Sequence, residues 1–158
     1  MLFKKGAPPG DPIGDKGETN KKDTSKHWMV ILALGTHSDD AFELGRKSAA
    51  EGSSIIKYVS SDRAIDAKTS KECIGGLLSD LMKDIDKFFA DEGNDDVKAV
   101  IDIHVCGPMN ICTALGIYIE KIRHQVFNEY DVAISIGEVS CYDRQVSGKM
   151  TIALGDLQ

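Results

Sequence analysis

VKAVIDIHVCGPMNICTALGIYIEKI, residues 97 to 122, joins an apolar, β-branched run to a helical repeat through Gly107-Pro108. Val97 to Val105 has the length and composition of a strand buried on both faces. Beyond the Gly-Pro step, Ile111, Ala114, Leu115, Tyr118, Ile119, Ile122 and Val126 recur at three- and four-residue intervals, which marks one face of an amphipathic helix. A strand that passes directly into a helix leaves a crevice at its carboxyl end, where free backbone N–H groups and the positive end of the helix dipole face outward. In an open parallel sheet such crevices hold ligands.

A second junction of this kind spans Met29 to Gly52. MVILAL at 29–34 reads as a strand, Gly35-Thr36-His37-Ser38 as a turn, and DDAFELG opens a helix over about 39–51. SIIKYVS at 54–60 completes a βαβ unit. Thr69 and Glu72 then stand at capping-box spacing before Ile74, Leu77, Leu78, Leu81, Met82, Ile85, Phe88 and Phe89, so a long helix is expected to run to Gly93. Val132–Ile136 and Lys149–Leu154 read as further strands joined by a polar loop, EVSCYDRQVSG, and the lack of a helix between them favours an antiparallel pair. The pattern predicts an α/β fold: a three-layer Rossmann-like domain with a mostly parallel sheet of about five strands and helices on both faces.

Residues 1 to 26 hold three of the four prolines and almost nothing apolar after Phe3, which predicts a disordered tail or linker ahead of one domain at 27–158. A net charge of −6 gives no electrostatic footprint for long nucleic acid or an anionic membrane surface, yet leaves room for a small, specifically held anion. No apolar run approaches the roughly 20 residues that span a bilayer, and Met1 to Lys5 lacks the apolar core of a secretion signal, so a cytoplasmic protein is expected. Cys73, Cys106, Cys112 and Cys141 show no CxxC spacing and read as reduced thiols, mostly buried, with Cys112 near a helix amino terminus as the one candidate nucleophile. Dinucleotide and triphosphate glycine loops are both missing from the sequence.

Three groups of polar residues have side chains suited to chemistry. His37, Asp39 and Asp40 follow a strand and open a helix; Ser38 as N-cap with a favourable acidic first turn explains them, and so does imidazole-plus-carboxylate ligation of zinc. The string LALGTHSDDAFELG resembles the opening motif of the LmbE-like (PIG-L) deacetylases, G-x-H-P/S-D-D. That resemblance implies zinc held by His37 and Asp40, with Asp39 as general base, although no string supplies the family's third ligand. Asp102 and His104, two apart on one strand, share a face and can be either an acid–base pair or satisfied polar groups. Glu138 and Arg144 are candidates for the crevice rim, the guanidinium being suited to a phosphate.

IDIHVCGPMNICTALG carries no acid after its glycine, so the amides of Gly107, Met109 and Asn110 are free to meet a phosphate or a base edge, unless Asn110 simply caps the helix. The strand, the Pro-containing turn and the helix of small-apolar-x-Leu-Gly form resemble the SAVED domain, a relative of the CARF sensors of cyclic oligonucleotides in bacterial antiviral systems. The resemblance covers roughly residues 28–145 and only one of the two Rossmann-like halves of a full SAVED domain. It implies a non-catalytic, cofactor-free sensor that acts as a homo-oligomer with a separate effector protein. The ligand would lie against Gly35, Thr36, His37 and Ser38 on one side and Gly107, Pro108, Met109, Asn110 and Arg144 on the other. The alternative is a zinc-dependent hydrolase of the LmbE-like kind.

Overall fold

The computed structural model describes residues 25–62, 66–93 and 95–153. Strand β1 (Ser25–Leu34), helix α1 (Ser38–Ser48) and strand β2 (Ser54–Ser60) form the first unit; helix α2 (Ala67–Glu92) and strand β3 (Lys98–Cys106) follow. Helix α3 (Met109–Tyr130) leads to strands β4 (Ile134–Asp143) and β5 (Gly148–Ala153). The sheet runs β2-β1-β3-β4-β5. Its first four strands are parallel and β5 pairs antiparallel with β4.

Alternation along the central strands sorts their side chains between two layers. Trp28, Val30, Leu32 and Leu34 of β1, with Ala99, Ile101 and Ile103 of β3, pack against α2 and α3 through Leu77, Leu81, Ile85, Leu115 and Ile119. Met29, Ile31 and Ala33 face the other way and meet Ala41 of α1. The result is a three-layer, Rossmann-like α/β domain, as the strand and helix patterns predict. Trp28 anchors the larger layer: it is fully buried, stands edge-on to Phe88 and donates its indole N–H to Asp84 of α2 at 2.7 Å. Burial of the ring is thereby achieved without leaving its polar atom unpaired.

Several local expectations are corrected. Ser25 and Lys26, expected in the tail, belong to β1, and Lys26 Nζ donates to Ser54 Oγ on β2 at 2.6 Å; the rest of the predicted tail lies outside the described residues. His37 rather than Ser38 occupies the N-cap of α1, and Pro108 rather than Asn110 that of α3, neither with a side-chain cap. The capping box at Thr69 is replaced by Asp66, whose carboxylate accepts from the Thr69 amide at 2.7 Å.

The largest difference is β4. Much of the predicted polar loop, from Glu138 to Asp143, is strand. The pairing with β3 slips at Gly137-Glu138, since Ile101 faces Ile136 while Ile103 faces Val139. The extra residue makes a β-bulge, and the orphaned Glu138 amide donates to Asp102 Oδ1 at 2.7 Å. Asp102 also meets His27 Nδ1 at 3.2 Å, so its buried carboxylate ties β1, β3 and β4 together. A Cβ on residue 137 would fall 2.2 Å from that Oδ1, which explains the glycine.

Candidate functional site

The direction of building reverses between β1 and β3: the chain leaves β1 to make β2 on one side, and α2 carries it across to β3 on the other. At such a switch point the connections on the two strands diverge and open a gap above the carboxyl ends. Gly35 makes the first turn compact, with φ +94°, its amide on the Ser60 carbonyl at 2.8 Å and its own carbonyl accepting from the Ser38 amide at 3.1 Å. Gly107 lets the second turn pass close to Leu34, whose side chain would lie 3.3 Å from an added Cβ.

The cavity beside these turns has a volume of about 620 Å³. His37 forms one wall; Cys106 and Gly107 at the end of β3, Met109 and Cys112 on the first turn of α3, and Cys141 and Tyr142 on β4 form the others. The β4–β5 hairpin closes it with Asp143, Arg144, Gln145 and Met150. Of the residues singled out in the sequence, His37, Gly107, Met109, Cys112 and Arg144 meet here. Thr36, Pro108 and Asn110 are exposed nearby without lining the cavity, Gly35 serves the turn, and Ser38 is buried. Glu138 does not line the cavity, and its carboxylate is bound by Lys149 of β5.

Two features bear on what the cavity can hold. Helix α3 has neither a side-chain cap nor an acid in its first turn, so the Met109 and Asn110 amides and the helix dipole are available to an anion next to the Arg144 guanidinium. Asp143, the carboxylate of the hairpin, is engaged by the Gln145 amide at 2.8 Å. Against the opposite wall His37 and Tyr142 are stacked, with centroids 5.6 Å apart and planes at 28°. An aromatic pair beside an anion-binding end suits a planar, negatively charged ligand. Tyr142, Gln145 and Met150 carry no reading in the sequence, and Cys141 none beyond a reduced thiol; the alternation Val139, Cys141 against Ser140, Tyr142, read through Gly137 rather than stopped by it, is the signal that puts Cys141 and Tyr142 on a strand.

The residues expected to hold zinc do not assemble. His37 stacks on Tyr142, whereas Asp40 lines a separate cavity of about 320 Å³ with Glu43 and Lys47. Among the described residues no group of three or more His, Cys, Asp and Glu side chains is arranged to hold a metal ion. These residues therefore do not fit that metal, and no chemical step is derived through it.

Asp102 and His104 are not a pair either. His104 is fully buried beneath α1, its Nδ1 on Ser140 Oγ at 2.7 Å, and the close fit at Gly45 puts a hypothetical Cβ 2.7 Å from its Cδ2. Ser140 Oγ in turn lies 3.4 Å from the Ile103 carbonyl, and among the described residues Nε2 has no hydrogen-bond partner. Burial, then the nearby Lys149 charge, pushes its pKa below the ordinary 6.5. The unfolded chain thus takes up a proton that the folded one refuses, so the stabilising effect of neutral His104 is full above pH 6.5 and is lost as the pH falls from there through the folded-state value. Denaturant melts between pH 7 and 5 are expected to show this loss, at up to about 1.4 kcal/mol per pH unit, and His104→Leu to flatten it. An unchanged slope in the variant would contradict the assignment.

No protein-family model matches the chain, and neither the curated proteins nor the solved structures compared with it give a match.

Proposed function

We propose that this chain is a sensor module that binds a nucleotide second messenger, a cyclic oligonucleotide or a relative of one, in the crevice between His37 and α3. The observation that carries this reading is the convergence in one cavity of about 620 Å³ of an uncapped helix amino end, the Arg144 guanidinium and the His37–Tyr142 stack. The volume lies within the range of sites for small organic ligands, roughly 300–1,000 Å³. A phosphodiester sits at the Met109 and Asn110 amides, and a base lies against the aromatic wall. The sequence resemblance to SAVED domains points to the same ligand class and to a role in bacterial antiviral defence.

A cyclic oligonucleotide has more phosphates than one crevice can engage, so a second copy takes the remainder. Ligand then favours the homo-oligomer only by its extra affinity for that state, and an effector protein reads out the assembly. The test is a thermal-shift series with cyclic di-, tri- and tetranucleotides and linear mononucleotides, with zinc and with chelator. Ligand at a hundred times its dissociation constant stabilises the fold by about 2.7 kcal/mol. A chelator-insensitive rise with one cyclic nucleotide is expected. A rise with zinc alone would favour the hydrolase, and no rise with any nucleotide would overturn the sensor reading.

A further inference from the structure

Three of the four cysteines converge on this crevice from three elements. Cys106 ends β3, Cys112 stands in the first turn of α3 and Cys141 lies on β4. All three are partly exposed, whereas Cys73, on α2, is fully buried in the core. No bond joins them. They share the cavity with Arg144 and the uncapped end of α3, the features that draw an anion.

We propose that the crevice is also a thiol-exchange site, at which an anionic low-molecular-weight disulfide transfers one thiol half to Cys112 or Cys141 and so excludes the nucleotide. The inference rests on the anion-binding character assigned to the site above. The cysteine thiolate attacks one sulfur of the reagent, the reagent S–S bond breaks, and a protein–reagent disulfide forms. The departing thiolate takes up the proton the cysteine gave up, so one protein thiol is oxidised to the disulfide level and one reagent sulfur is reduced to a thiol. Burial pushes the Cys112 thiol up to about 11 and Cys106 upward too, so exchange is slow in solution terms. Local charge therefore matters more: a carboxylate-bearing reagent is held by Arg144 while it reacts, and a cationic reagent is not. The adduct occupies the cavity, which makes thiol exchange and ligand binding mutually exclusive and reversible by a reducing agent.

The experiment compares oxidised glutathione, which is anionic, with cystamine, which is cationic, on the folded chain and on Arg144→Ala, with intact-mass and peptide mass spectrometry as readouts. The expected result is an adduct on Cys112 or Cys141 and none on Cys73. The ratio of the glutathione rate to the cystamine rate should fall roughly tenfold in Arg144→Ala, and incubation with dithiothreitol should remove the adduct. Modification of Cys73 at a comparable rate, no adduct on the folded protein, or a rate ratio indifferent to Arg144 would each overturn the proposal. A double Cys112→Ser, Cys141→Ser variant that still reacts in the crevice would do so as well. Because the readout is mass, selective Arg144-dependent exchange in a protein that shifts with no nucleotide would sink the sensor reading alone; a nucleotide shift without exchange would sink only this one.

Discussion

Gly137→Ala is expected to lower the melting temperature by about 10 °C, a loss of about 3 kcal/mol at the 2–4 °C per kcal/mol typical of chains this size. The added methyl would stand 2.2 Å from Asp102 Oδ1 and 2.7 Å from Val100 Cγ1, far inside van der Waals contact. Neither neighbour is the free end of a flexible side chain. Asp102 is buried and held from two sides, by the Glu138 amide and by His27, so it cannot withdraw without leaving a carboxylate short of donors. Overpacking costs about 1–3 kcal/mol and loss of a hydrogen bond to a charged group about 1.5–3 kcal/mol; the figure of about 3 assumes that the two effects overlap. Gly76→Ala on α2 is the comparison, because nothing lies within 4 Å of a Cβ there and the helix gains from alanine. It should raise stability by a few tenths to about 1 kcal/mol. If Gly137→Ala melts within 2 °C of the natural chain, the bulge is not the fixed point described here.

That same glycine explains where the sequence misleads. The helices and the first three strands are legible because their apolar spacing is long and unbroken: α2 buries Ile74, Leu77, Leu81, Ile85 and Phe89, and β1 buries every residue from Met29 to Leu34. Periodicity of this length outweighs any single residue. In β4 the run is interrupted at Gly137 and continues as Glu138-Val139-Ser140-Cys141-Tyr142, half polar, because no helix follows β4 and one face of that part of the sheet holds Asp102, His104 and Ser140 instead of an apolar layer. A polar alternation after a glycine looks like a loop. The caps fail for a related reason: Ser38 and Asn110 have the right chemistry, but the turns at Gly35 and Gly107-Pro108 shift each helix start by one or two residues relative to them.

Apart from Arg144, the candidate site is legible where it is local. His37, Gly107 and Met109 follow from two strand-to-helix junctions, each contained in one short string. Tyr142, Cys141 and Met150 reach the cavity through pairing of β4 with β3 and of β5 with β4, with Val105 opposite Cys141 and Cys141 opposite Met150. Register of that kind depends on the bulge, which the sequence does not announce. His37 and Asp40 part in the same long-range way: the string around His37 has ligand-type residues, but α1 turns Asp40 toward a different cavity from the one His37 lines.

Arg144→Glu is expected to weaken binding of the anionic ligand about a hundredfold with little change in melting temperature. The residue is exposed on the β4–β5 hairpin and, among the described residues, forms no hydrogen bond or ion pair, so the fold has no use for its charge. Removing a charge-assisted hydrogen bond costs about 2 kcal/mol, and a carboxylate in its stead adds repulsion that solvent screens to a fraction of the bare Coulomb value. A total near 2.7 kcal/mol corresponds to the hundredfold. The α3 amino end remains intact, with Met109 of its first turn still lining the cavity, which is why the loss stops there rather than abolishing binding. Titration calorimetry with the nucleotide that shifts the natural protein checks this at two salt concentrations. Affinity of the natural chain should fall as salt rises and that of Arg144→Glu should fall less, since the attraction being screened is gone. Equal affinity in the two proteins would place the phosphate away from Arg144 and leave the α3 amino end as the anion's only partner in this proposal.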